Sequence, residues 1–316
     1  MKSIKKTIAK MVIVGCTVMS TLLNTRILYA ENVDNQGEYH MQMYDNEQGI
    51  VVDVIVPKTD VIESAASAIV NDMPSTSIII GEDEQKKVSK EYPYSAVMFL
   101  GIRYSDGTTM PGTGVLIGPD ILFTAGHIFY SENHGKAVEV RTYPSMNEEG
   151  ETFPKNLNDI PGEWCYPKYW FSGRVSLTDT NDYNNQNDWA VAKLAKRYGD
   201  TYGYWGYKAD AYDTTNVNVV GYPSSSPAKR FFPYLSSGVV VHETNYQDSS
   251  PSVIEYLADT ETGNSGSPVF CYYNGSPTAI ATHVIGYEDP ISPVRFNIGR
   301  IIDSTIVYCI QYCNAN

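Results

Sequence analysis

Ser265 stands in "ETGNSGSPVF", a stretch whose Gly, Asn and Ser are also the ordinary residues of turns. A serine hydroxyl is a weak nucleophile by itself. To attack a carbonyl it needs a base that takes its proton, an acid that orients the base, and donors for the oxyanion that forms. Five histidines can supply the base. His40 lies in a polar, acidic N-terminal stretch, His134 in "SENHGK", which reads as a solvated loop, and His242 at the end of a strand-like run. His127 follows a β run in "LFTAGHIF", at a turn of small residues from which an imidazole can project into a cleft. Asp188 opens "DWAVAKLA", which sets its carboxylate at the mouth of a strand.

Each of these residues has a plainer reading alone: a hydrogen-bonded strand-end histidine, a solvated turn aspartate, a turn serine. Their order, His127, Asp188, Ser265, is that of the chymotrypsin-type triad, and their spacing suits two consecutive β-barrels. An α/β-hydrolase would run Ser, acid, His with Gly-x-Ser-x-Gly at the nucleophile. Here Gly263-Asn264-Ser265-Gly266-Ser267 lacks the second glycine of that motif.

"TAGH", "NDWAVAKL" and "TGNSGSPVF" together resemble the secreted glutamyl endopeptidases, the V8-like branch of chymotrypsin-fold serine proteases, with weaker echoes in "IIIGEDEQ", "YPYSAVM", "DTYGYWGY" and "GYPSSSP". The resemblance runs from about Ile78 onward. It implies an all-β fold of two antiparallel six-stranded β-barrels with the active site between them. Ser265 is then the nucleophile, His127 the base, Asp188 its orienting acid, and the N–H groups of Gly263 and Ser265 the oxyanion hole. The resemblance also implies a primary pocket for an acidic side chain, with His283 in "IATHVIG" and Thr260, five residues before Ser265, as its donors. Glu is the expected residue before the cleaved bond, with Asp next. Asp259 opens an alternative, since trypsin-like enzymes hold the aspartate that binds Arg or Lys six residues before the nucleophile. A non-catalytic binding or toxin-like relative on the same fold is a further alternative.

The elements that must position these residues are short β-rich runs, among them "SAVMFLGIRY", "ILFTAG", "VNVVGY" and "SPVFCYY". Gly, Pro, Asn and Asp clusters separate them, the pattern of an antiparallel sandwich or barrel. "YYNGSP" places Asn-Gly where a tight hairpin needs positive φ. Apolar Ile301, Ile302, Ile306 and Ile310 suggest a C-terminal helix.

Residues 1–30 read as a signal peptide: lysines, then an apolar run from Met11 to Leu23, then "ILYA". That run is too short for a membrane span of about 20 residues. Residues 31–77 hold nine acids against Lys58 alone, with "GIVVDVIVP" their one strand-like island, and read as a propeptide. Residues 78–200 and 201–316 are the two expected barrels, the second carrying the helix. In this branch the freed N-terminus lies near the primary pocket. Residue 264 is Asn where trypsin-like zymogens carry the aspartate that pairs with the new terminus, so activation by that ion pair is not expected.

Removal of residues 1–30 takes away five basic residues and no acid, moving the formal charge from −13 to −18. Such a surface excludes nucleic acid and disfavours anionic membranes. The expected partners are protein or peptide substrates, acted on by a secreted monomer without cofactor. "DTNDYNNQND" is rich in oxygen donors but lacks the Gly and terminal Glu of an EF-hand loop, so no metal is expected. Cys165, Cys271, Cys309 and Cys313 remain after Cys16 leaves, enough for two disulfides in an oxidising compartment.

Overall fold

Runs of Val, Ile and aromatic residues, broken by Gly, Asn and Asp, fold into strands because branched and flat side chains suit a pleated, half-buried surface. The computed structural model describes residues 39–56, 63–64, 83–131, 133–146, 153–173, 187–211, 213–224, 227–244, 252–288 and 295–316. The signal-peptide reading, the cut near residue 77 and the oxygen-rich loop before Asn187 lie outside these residues.

In chain order the strands are β1 (Tyr39–Asp45), β2 (Ile50–Val56), β3 (Glu63–Ser64), β4 (Lys86–Lys87), β5 (Val97–Tyr104), β6 (Thr109–Gly118), β7 (Ile121–Thr124), β8 (Tyr130–Ser131), β9 (Gly135–Pro144), β10 (Pro167–Ser172) and β11 (Ala190–Leu194). After the one-turn helix α1 (Gly199–Tyr202) come β12 (Gly206–Lys208), β13 (Asn216–Gly221), β14 (Tyr234–Thr244), β15 (Val253–Tyr256), β16 (Pro268–Tyr273), β17 (Ser276–Glu288) and β18 (Arg295–Ile301), then helix α2 (Ser304–Ala315).

The chain adopts the expected chymotrypsin-like, all-β fold. The second sheet runs β16-β13-β14-β15-β18-β17 and closes on itself through β16–β17, a complete six-stranded barrel. Its closing hairpin turns at Asn274 and Gly275, with φ of 51° and 77°, as the Asn-Gly pair requires. The first sheet runs β10-β11-β7-β6-β5-β9 and stays a half-barrel: among the described residues β9 meets the β10 side only through the Thr142–Cys165 bridge. Beyond β10 it is extended by the β1–β2 hairpin, in register Met43 to Phe171 and Asp45 to Tyr169. Met43 is buried there, the Tyr44 and Trp170 ring centroids lie 5.2 Å apart, and Lys136 Nζ sits over the Tyr44 ring.

The C-terminal helix forms as its sequence pattern demands. Asp303 caps it, accepting the Ile306 N–H at 3.0 Å. Its buried face, with Ile306, Ile310 and Cys313, joins the core of the first barrel rather than the second. Lys193 of β11 donates to the Cys313 carbonyl at 2.8 Å and pairs with Asp120 at 3.2 Å.

The disulfide expectation fails: all four cysteines are free thiols. Cys309 and Cys313 sit one turn apart on a single helix and are buried against the first barrel, while Cys271 lies in β16 of the second, its thiol directed at the Asn216 carbonyl.

Candidate active site

The histidine arrives on a short 3-10 turn, Gly126–Ile128, that follows β7 through an extended Ala125. Gly126 lets this turn lie against the start of β11, since a Cβ there would sit 3.0 Å from the Trp189 carbonyl oxygen. Asp188 immediately precedes Trp189 and is almost fully buried. Its Oδ1 accepts the His127 backbone N–H at 2.7 Å, and its Oδ2 lies 2.8 Å from His127 Nδ1. The carboxylate therefore holds both the turn and the ring. A proton on Nδ1 leaves the Nε2 lone pair free to accept another. Tyr104 donates to the His127 carbonyl at 3.0 Å, and burial followed by the charge of Asp188 holds its hydroxyl protonated well above the usual range.

Ser265 comes from the loop before β16. Its neighbours Gly263, Asn264, Gly266 and Ser267 are buried, whereas Ser265 itself is partly exposed. The loop bends at Gly263 and Gly266, whose φ values of +97° and +83° disfavour any side chain. Among the described residues the N–H groups of Gly263 and Ser265 have no acceptor, although the neighbouring N–H groups do: Asn264 to Glu261, Gly266 to His283 and Ser267 to Asn264.

One buried residue ties this loop to the first barrel. Thr113 of β6 donates its N–H to the Ser265 carbonyl at 2.8 Å and its hydroxyl to the Gly263 carbonyl at 2.7 Å. The same hydroxyl accepts the Tyr222 N–H at 3.0 Å, and the Thr113 carbonyl accepts the Thr124 hydroxyl at 2.6 Å. Thr124 lies three residues before His127, so the serine loop is set against the histidine turn.

The residues named for the pocket are arranged less simply. His283 of β17 is buried, and its Nδ1 lies 2.7 Å from the Tyr256 hydroxyl. Burial, then repulsion from His127, pushes the His283 imidazole down to about 3. Thr260 does not present a free hydroxyl proton as expected, because its one proton goes to Asn297 Oδ1 at 2.6 Å. Asn297 in turn donates Nδ2–H to the Ala258 carbonyl at 2.6 Å. Asp259 is not a bare anion: its carboxylate accepts the Glu84 N–H at 2.9 Å, and its carbonyl accepts Gln85 Nε2–H at 3.1 Å. Lys229 pairs with both Asp83 and Glu261 beside it. Thr113, Tyr256, Lys229 and Asn297 carry no local sequence signal for these roles. His134 is in the expected loop, paired with exposed Asp106.

A family model described as a trypsin-like peptidase domain matches residues 112–280, over half of the chain. The chain is 30% identical over 244 residues to a Bacillus subtilis protein named extracellular metalloprotease, with 75% of this chain and 69% of that one covered. It is 29% identical over 224 residues to the glutamyl endopeptidase of Bacillus licheniformis, covering 67% of this chain and 62%, just under two thirds, of that relative. A solved structure of a Glu endopeptidase in complex with MPD superposes with a TM-score of 0.58 at 23% identity, covering 76% of this chain and all of that one.

Proposed function

The chain belongs to the trypsin-like peptidase family, in its V8-like, chymotrypsin-fold branch of serine endopeptidases, and on that premise we propose that it is secreted and cleaves peptide bonds after glutamate through Ser265, His127 and Asp188. The observation that carries the triad is the double hold of Asp188 on the His127 N–H and Nδ1, in a turn set against the serine loop. Ser265 Oγ bonds to the scissile carbonyl carbon while its proton passes to His127 Nε2. The C–N bond then breaks and the amine leaves with that proton. Water, deprotonated by the same nitrogen, releases the acyl group and restores the serine. The Gly263 and Ser265 N–H groups hold the oxyanion in both halves. Removing one such donor costs about 10²–10³ in turnover.

Support for an acidic rather than a basic side chain comes from Asp259, whose carboxylate is already engaged by the 84–85 segment, and from the donor side chains at His283 and Asn297. A serine-directed phosphonate should label the protein once, at Ser265, and Ser265→Ala should abolish both labelling and cleavage of a Glu peptide. Labelling that survives Ser265→Ala would reject the triad, and faster turnover of a matched Arg peptide would reject the pocket.

Processing near residue 77 fits the same reading. Asp83, Glu84 and Gln85 strap across Asp259 and Lys229, so a terminus at Ile78 lies five residues, at most about 18 Å of extended chain, from this pocket. Its positive charge would favour an acidic side chain there. N-terminal sequencing of the active secreted form should find a start near Ile78, and a fully active form starting at Glu31 would count against it.

A further inference from the structure

We propose that the 31–77 segment stays on the enzyme after the cut near residue 77, as a separate peptide whose β1–β2 hairpin remains the edge of the first sheet; this rests on the processing proposed above. The hairpin ends at Val56, well before the cut, so hydrolysis of that one peptide bond leaves its contacts in place.

Backbone and side chains both build the seat. β1 pairs with β10 from Met43–Phe171 to Asp45–Tyr169. Asn46 continues the seam, donating its N–H to the Lys168 carbonyl at 2.8 Å and its Nδ2–H to the Pro167 carbonyl at 2.5 Å. Strand alternation turns one face of the hairpin inward. Met41 and Met43 lie opposite Val54 and Val52, and all four pack on the core that includes Ile306 and Ile310 of the C-terminal helix. Val51, Asp53 and Ile55, between and beyond them, are exposed. On the other face of β1, Tyr44 meets Trp170, whose ring stacks on Phe129 with centroids 4.4 Å apart. β1 is thus engaged on both faces and along one edge by residues that follow the cut. Farther along the segment, β3 pairs with β12 of the second sheet, Ser64 opposite Tyr207 and Glu63 opposite Lys208.

A two-stranded hairpin has little stability alone, so its order depends on this seat. The seat equally needs its cover. Without the hairpin, β10 would present open N–H and C=O groups beside Tyr169, Trp170 and Phe171, an edge of the kind that pairs with other chains. The cut removes the tether and with it the high effective concentration of the hairpin, so retention requires real affinity between the two pieces.

The test is size exclusion of the processed, secreted protein at about 1 μM, with mass spectrometry of the enzyme peak before and after denaturant. A peptide carrying residues 39–56 is expected in the same peak as the chain that starts at Ile78, and should leave it only in guanidinium. An enzyme peak starting at Ile78 without that peptide overturns retention and leaves the processing reading standing. A single uncut chain starting at Glu31 removes both. Met43→Glu places a charge at the buried point of the seam and should weaken retention by about tenfold or more, so that the cut variant loses its peptide in buffer. A folded, processed variant that keeps its peptide would overturn the hairpin as the element that holds it. Should the variant fail to fold, the wild-type peak alone decides the proposal.

Discussion

Replacing Asp188 with asparagine is expected to lower kcat by about 10⁴-fold, with KM and thermal stability little changed, by analogy with the same change in a serine-protease triad. The carboxamide still offers an oxygen to the His127 N–H that Oδ1 now serves at 2.7 Å. The other position, 2.8 Å from Nδ1, becomes an NH₂ group, and two donors cannot face each other. The imidazole must then carry its proton on Nε2, the atom that has to accept from Ser265. Shape survives and chemistry stops. Steady-state kinetics on a Glu peptide beside a thermal melt separates the two. Activity within tenfold of the parent would show that Asp188 holds the turn without serving the reaction.

Gly266→Ala should have the largest structural effect of any single methyl group at the site. Its φ of +83° already disfavours a side chain, and the new Cβ would fall 2.0 Å from Thr124 Oγ1 and 2.1 Å from the Thr113 carbonyl oxygen. These two atoms are bonded to each other, so neither can step aside without breaking the other's hydrogen bond. Backbone strain of about 1–3 kcal/mol and overpacking of about 1–3 kcal/mol together predict a loss of about 2–6 kcal/mol. The serine loop would be pushed off the first barrel, and turnover should fall by about 10³ or more, the scale of losing an oxyanion donor. Gly107→Ala is the control: φ is +87° but nothing lies within 4 Å of the added Cβ. It should cost about 1 kcal/mol in a melt and leave kcat/KM alone. Equal losses in the two variants would mean that the joint at Gly266 is not tight.

What could be read in the sequence was local. His127 after a strand in a small-residue turn, Asp188 at a strand mouth, the Asn274–Gly275 hairpin and the C-terminal helix with its spaced isoleucines are each set by a few consecutive residues. What could not be read depends on partners far along the chain. Thr113 is an ordinary strand threonine until Gly263, 150 residues away, accepts its hydroxyl. Asp259 looks like an open anion until Glu84, 175 residues earlier, caps it. Thr260 was expected to donate into the pocket, and Asn297 takes that proton instead. The cysteine count suggested cross-links, but it carries no information about which faces the thiols occupy. "GIVVDVIVP" read as a strand, yet its partner in the less obvious "YHMQMYD", and their joint seat on β10, follow only from pairing.

The helix Ser304–Ala315 ties together parts of the chain that lie far apart in sequence. Base and acid belong to the earlier half of the molecule, yet Ile306, Ile310 and Cys313, which pack on that half, follow both sheets in chain order. A nascent or C-terminally clipped chain thus exposes the underside of β11, the strand that Asp188 leads into. Losing that helix would therefore loosen the half that carries base and acid, although neither residue lies on it.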